Sequence, residues 1–307
     1  MKKITAALSG VLFLAVGLTG VNAKTIGVSL SSDTNPFYIA MLKGIKARAK
    51  KAGYDISVVN AEEDIAKQLN GVNDLIAKGV DGILISPIDA KALCSVYDKA
   101  KAANIPMMSI ARGSACKNQL LHVGLNELEI GQKIAAWTIA KIGGKGKVAM
   151  LSGPAGAQAF INFAKGYAQE MGKHPGIKVV FRREMLLTRE NGLKNGEDAL
   201  VANPDLKAIY GANDELGMGA AQAVAAAGKT KDIIVTGMNG IPPAVAAVNR
   251  GFMDLTVALS PFAFGNVGVD TMVSHLSGRG FGPKVLVNYV LVDKTNAKKF
   301  IRKKKKK

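Results

Sequence analysis

The residues best equipped for chemistry lie in a polar turn, Ser32-Asp-Thr-Asn-Pro-Phe-Tyr38, which follows the apolar run Thr25 to Leu30 and opens a helical pattern. Asn35 offers both a donor and an acceptor, and Phe37 and Tyr38 offer flat apolar faces, a set suited to holding a small polar ring rather than to breaking a bond. Ligands of parallel α/β sheets bind beyond the carboxyl ends of strands, where this turn would stand. Catalytic signatures are missing: there is no Gly-x-Ser-x-Gly elbow, paired-carboxylate motif or nucleophile pattern. His122, His174 and His275 are widely spaced without metal-ligand periodicity, so neither a metal nor a cofactor is expected. Gly143-Gly-Lys-Gly-Lys147 precedes its strand and lacks the spacing of a phosphate-binding loop, which makes it a surface turn. Ser152-Gly-Pro-Ala-Gly156 does follow a strand and open a helix, and it is expected to shape a cleft wall. Glu62, Glu63 and Asp64 read as a solvated acidic run before the next helix.

The elements that must carry these turns alternate strand and helix. Strands are expected at Thr25 to Leu30, Ile56 to Asn60, Gly82 to Ser86, Pro106 to Ile110 and Leu120 to Val123. A second series follows at Lys147 to Leu151, Ile177 to Phe181, Ala208 to Gly211, Ile233 to Gly237 and Leu255 to Ala258, with a final apolar strand over Val285 to Val292. Between them, Phe37, Met41, Gly44 and Ile45 share one helical face, and Ile65, Leu69, Val72 and Ile76 another. Later helices are expected near Ala157 to Met171, Asn191 to Ala202, Asp214 to Ala227, Pro242 to Arg250 and Pro261 to Leu276. Such alternation predicts parallel sheets with right-handed crossovers, in two α/β lobes for a chain of 307 residues.

Residues 1 to 23 have a basic start at Lys2 and Lys3, a short apolar run from Val11 to Leu18, and small residues at Val21-Asn22-Ala23, the pattern of a cleavable secretory signal. The mature chain is expected to begin at Lys24 and to be periplasmic. In an oxidising compartment Cys94 and Cys116, which sit in no Cys-x-x-Cys or Cys/His cluster, are expected to form a disulfide. The formal charge is +18; Lys2 and Lys3 carry two of these and the C-terminal basic cluster eight, leaving about +8 for the folded body. Residues 301 to 307 read as a disordered basic tail. No aromatic residue beyond Phe300 interleaves its lysines, so nucleic acid is not an expected partner.

In order along the chain, Thr34-Asn-Pro-Phe-Tyr38, Gly79-Val-Asp-Gly-Ile-Leu-Ile-Ser-Pro87, Asn104-Ile-Pro106, Val123-Gly-Leu-Asn-Glu-Leu-Glu-Ile-Gly131, Ala212-Asn-Asp-Glu215 and Gly237-Met-Asn-Gly240 resemble the ribose-binding-protein group of type I periplasmic binding proteins. The resemblance runs from Lys24 to about Asp293. It implies two Rossmann-like lobes with parallel sheets, residues 24 to 125 plus 261 to 288 and residues 126 to 260 plus 289 to 300, joined by crossings near Asn126, Ser260 and Asn288. It also implies hinge closure on a solute and delivery to an inner-membrane ABC permease by a monomer, without catalysis. A sensor presenting its ligand to a chemoreceptor or sensor kinase is the alternative use of the same fold.

Matched to the family, the ligand-facing positions are Asn35, Phe37, Tyr38, Ala111, Arg112, Phe163, Leu187, Asn213, Asn239 and Leu259. Four depart from the ribose pattern. Ala111 replaces an aspartate, Phe163 an arginine, Asn239 an aspartate and Leu259 a glutamine, so the carboxylates that would accept from sugar hydroxyls are gone. Ribose itself is therefore a poor candidate. Arg112 has lost its neighbouring carboxylate, and two outcomes stay open. It receives an anionic end of the solute, a small acid, or it pairs internally with Asp33, Glu127 or Asp214 and leaves the solute a neutral deoxy sugar or polyol.

Overall fold

The computed structural model describes residues 24 to 301. The leader segment and all but the first residue of the basic tail lie outside the described residues. The first sheet contains β1 (Thr25–Leu30), β2 (Asp55–Asn60), β3 (Gly82–Ile85), β4 (Met107–Ile110), β5 (His122–Gly124) and β11 (Lys284–Leu286), in the order β11-β5-β4-β3-β1-β2 and parallel throughout. The second contains β6 (Gly146–Ser152), β7 (Ile177–Glu184), β8 (Leu206–Gly211), β9 (Ile234–Thr236), β10 (Leu255–Leu259) and β12 (Tyr289–Asp293), in the order β12-β10-β9-β8-β6-β7. Only β12 runs antiparallel to its neighbour among these strands. In each sheet the strand order reverses beside the first strand, between β1 and β3 and between β6 and β8, which opens a crevice above the carboxyl ends there.

Composition explains the strands. Ile83, Leu84 and Ile85 of β3 are all fully buried, as expected where helices cover both faces of a parallel sheet. The covering helices are α1 (Pro36–Ala52), α2 (Ile65–Ala77), α3 (Cys94–Ala102) and α9 (Pro261–Leu276) for the first sheet. The second is covered by α4 (Glu127–Lys141), α5 (Gln158–Met171), α6 (Arg189–Ala202), α7 (Asp214–Ala226) and α8 (Pro242–Arg250). α1 begins where the Asn35 side chain accepts from Phe37 N and Pro36 supplies a first-turn residue needing no donor, and it ends at Gly53 in the left-handed region.

The chain passes between sheets three times. It leaves the first after β5 to enter α4, returns after β10 through Ser260 into α9, which packs on α1, and crosses again between β11 and β12. The last crossing corrects the single strand expected over Val285 to Val292. That run favours strand throughout, but Leu286 pairs with Gly124 in one sheet and Tyr289 with Leu259 in the other, so the ladder breaks at Val287 and Asn288. A second correction concerns α2, whose buried face is Gln68, Val72 and Leu75, while Ile65 is exposed. Gln68 earns its buried position by bonding: its amide donates to Ser86 O at 2.9 Å and Ser29 Oγ at 3.3 Å and accepts from Ile88 N at 2.9 Å. Cys94 and Cys116 are joined in a disulfide that links the start of α3 to the segment after β4.

Candidate functional site

The turns after the strands of both sheets converge on one cavity with an empty volume of about 460 Å³, part of it open to solvent. From the first sheet, the β1–α1 turn contributes Asn35, Phe37 and Tyr38, the end of β4 contributes Ala111 and Arg112, and Leu125 and Phe264 complete that wall. From the second come Ala159, Phe160 and Phe163 on the first turns of α5, Leu187 after β7, Met238 and Asn239 after β9, and Leu259 at the end of β10. Thus Asn35, Phe37, Tyr38, Ala111, Arg112, Phe163, Leu187, Asn239 and Leu259, nine of the ten ligand-facing positions expected from the sequence, border one space.

Asn213 does not line it. Its side chain is committed as the N-cap of α7, accepting from Leu216 N at 2.9 Å, while its buried amide nitrogen has no partner within the described residues. Leu125, Ala159, Phe160, Met238 and Phe264 were not singled out from the sequence. Apolar residues of these types also fill the core; Phe160, four residues past the Ser152 to Gly156 turn, and Leu125 and Met238, inside two of the family-like motifs, had a local signal that could have found them.

Aromatic packing organises the walls. Phe37 meets Tyr38 edge-on at 5.4 Å between centroids and Phe264 at 5.6 Å, so the side chains that α1 presents are fixed against α9. Arg112 is 2% exposed and sits 5.5 Å from the Tyr38 centroid and 5.4 Å from that of Phe160, held between rings from the two sheets.

Arg112 does have a counter-charge, and it is none of the three carboxylates weighed from the sequence. Glu63 accepts from both terminal guanidinium nitrogens at 2.9 Å each, a bidentate pair. This also corrects the reading of Glu62 to Asp64 as a solvated run: Asp64 caps α2 through Lys67 N, Glu62 pairs with the Lys67 ammonium, and Glu63 turns inward. The sequence concealed the arrangement because it needs a backbone reversal. Glu62 and Glu63 both have positive φ, 53° and 55°, and Glu63 N donates to Ser31 O at 2.7 Å. Burial works against the charged form of Arg112, but Tyr38 and Glu63 outweigh it and hold its pKa above the ordinary arginine value.

The two walls also touch at the mouth. Ala90 N, after β3, donates to Gly156 O, after β6, at 2.9 Å. A Cβ on Gly156 would collide with the Asp89 carboxylate, so any larger residue here must push that side chain aside. Near the crossings, Glu127 at the start of α4 faces His122 of β5 at 3.5 Å and Lys284 of β11 at 3.0 Å, and Ser109 Oγ lies 2.7 Å from His122 Nδ1. Burial alone would raise the Glu127 pKa; His122 and Lys284 overcome it and keep the carboxylate below its usual range. On the second-sheet side, Asp214 accepts from Thr256 Oγ1 at 2.6 Å and Ile241 N at 2.8 Å, anchoring the segment that carries Met238 and Asn239.

Comparison with known proteins places this architecture. The periplasmic binding protein domain model matches residues 26–280. The ribose import binding protein RbsB of Escherichia coli (strain K12) is 33% identical over 296 residues, covering 96% of this chain and 99% of that protein. An ABC transporter periplasmic solute binding protein of Actinobacillus succinogenes 130z, solved with bound D-allose, superposes with a TM-score of 0.84 at 27% identity, covering 90% of this chain and 99% of that one. A solute binding protein of Bacillus halodurans C-125 with bound myo-inositol gives a TM-score of 0.86 at 26% identity, covering 91% and 97%.

Proposed function

The chain belongs to the periplasmic binding protein domain family, and from that premise we propose that it is the solute-binding component of an ABC importer, holding a small sugar or polyol between its two sheets. The observation that carries this reading is the shared cavity: loops from the carboxyl ends of both sheets supply its walls, and the chain crosses between the sheets at three places where it can bend. Residues 24 to 125 with 261 to 288 form one lobe and residues 126 to 260 with 289 to 300 the other. The leader pattern at residues 1 to 23 supports a periplasmic location, and no helix among the described residues is long and apolar enough to cross a membrane. The protein acts by binding and release rather than by catalysis, as a monomer, and its closed form engages an inner-membrane permease.

Ligand-facing roles go to Asn35, Phe37, Tyr38, Arg112, Phe163, Leu187, Asn239 and Leu259, with Asn213 supporting the rim. The bidentate Glu63 partner favours a neutral solute over a small acid, because the guanidinium charge is already met. A thermal-shift screen of neutral sugars and polyols tests the reading, since a ligand confined to the folded state raises the melting temperature by mass action. A hit must also reduce the radius of gyration in solution scattering; a panel without hits, or a hit that binds with no change in shape or melting, refutes it.

A further inference from the structure

The cavity's hydrogen-bonding groups are unevenly committed, and the imbalance specifies a solute. No carboxylate is among the residues lining it. The Asn35 carbonyl oxygen is occupied as the cap of α1, leaving its amide hydrogens for a ligand. Arg112 can only donate; its terminal nitrogens are held by Glu63, and its buried Nε–H has no partner within the described residues. The Tyr38 hydroxyl accepts from Ser86 Oγ at 3.2 Å, and Asn239, held at φ 129°, has neither side-chain atom engaged among the described residues, so its amide oxygen is the clearest uncommitted acceptor on the wall. A hydroxyl-rich sugar brings one hydrogen to donate for every hydroxyl and would leave most without an acceptor, against a wall otherwise built from the Tyr38 ring and from phenylalanine, leucine, methionine and alanine.

We propose that the solute is neutral and carries fewer hydroxyl hydrogens than the parent aldose, as a sugar lactone or deoxy sugar does, and that Glu63 is the specificity residue that bars anions. This deepens the solute-binding reading and rests on it. Glu63 stands outside the cavity wall, on an adjoining groove that shares Asn35 and Leu187 with it. By neutralising Arg112 from behind, it leaves a guanidinium that presents an N–H without net charge to attract a carboxylate. Without Glu63, the same guanidinium would seek its counter-ion in the ligand.

The test is calorimetric titration of matched sets at neutral pH: each aldopentose and aldohexose with its deoxy form, its 1,4-lactone and its open-chain aldonate, D-ribose, 2-deoxy-D-ribose, D-ribono-1,4-lactone and D-ribonate among them. In the set that binds best, the lactone or deoxy form should bind at least ~10-fold tighter than the parent sugar, the effect of one or more unpaired hydroxyls. The aldonate should bind roughly 100-fold weaker than the lactone. Glu63→Gln should raise aldonate affinity by about 10-fold or more, and adding Arg112→Gln should abolish the gain. Should the variants not fold, the wild-type order of lactone, parent sugar and aldonate decides. A parent sugar that binds tightest in its set, or an aldonate that matches its lactone in the wild type, overturns this inference and leaves the solute-binding reading standing. Failure of every sugar and polyol to bind overturns both.

Discussion

At the scale of single residues, the site turns on a buried charge and how it is met. Arg112 is enclosed by Tyr38, Phe160 and Glu63, and a guanidinium removed from water is tolerable only while its partner stays in place. Glu63→Ala should therefore cost about 3 kcal/mol of folding stability, measured by urea denaturation, far more than an exposed ion pair is worth. Asp214 gives a second test. Burial pushes its pKa up to about 7, against the opposing hydrogen bonds from Thr256 and the backbone of Ile241 and Gly240. Its folded value lies above the unfolded one, so the folded state holds the proton more tightly between the two. The stability this contributes is complete below about pH 4 and is lost as pH rises through 7. Asp214→Asn should flatten the decline in stability between about pH 4 and pH 7, as followed by thermal melting at intervals across that range.

At the scale of elements, what matters is how the turns after β3 and β6 meet. The Ala90–Gly156 hydrogen bond and the absence of a Gly156 side chain let the two walls close together at the mouth. Gly156→Val should hold them apart and weaken solute binding by roughly 10-fold or more, the closed form being made less populated. Calorimetry gives the loss, and scattering should show a smaller ligand-induced compaction than in the wild type. The opposite end of the cleft is fixed differently. Trp137 of α4 donates to Asp293 of β12 at 3.1 Å, and Tyr289 of β12 donates to Glu129 of α4 at 3.0 Å, so the first and third crossings share a support. Bending at the crossings can then move one sheet against the other while α4 and β12 travel together.

At the scale of the whole molecule, the sheets have matching strand orders, and each has its own helical cover. The disulfide lies within the part of the chain built around the first sheet and closes a loop across a separation of 22 residues. Replacing both cysteines by alanine should destabilise the protein by about 3 kcal/mol in the chain-entropy view, seen as a lower urea midpoint. Solute affinity should change little, since neither cysteine lines the cavity.

The sequence by itself determined the alternating α/β architecture, because strand and helix periodicities are local. Approximate limits of several elements were legible too, such as the Pro242 start and Gly251 stop of α8, whereas the Asn35 cap of α1 emerged only with the structure. Site positions such as Asn35, Phe37 and Tyr38 were legible because they occupy a turn with its own signal. Tertiary structure alone decided the rest. That Ala159 and Phe264 border the cavity depends on which side of a helix faces the other sheet, and core residues of the same types carry no distinguishing mark. The division of Val285 to Val292 between two sheets follows from pairing partners more than 20 residues distant. The union of Glu63 with Arg112, 49 positions apart, depends on two successive left-handed residues that bring an acidic run back over β4, and no periodicity in the chain encodes that reversal.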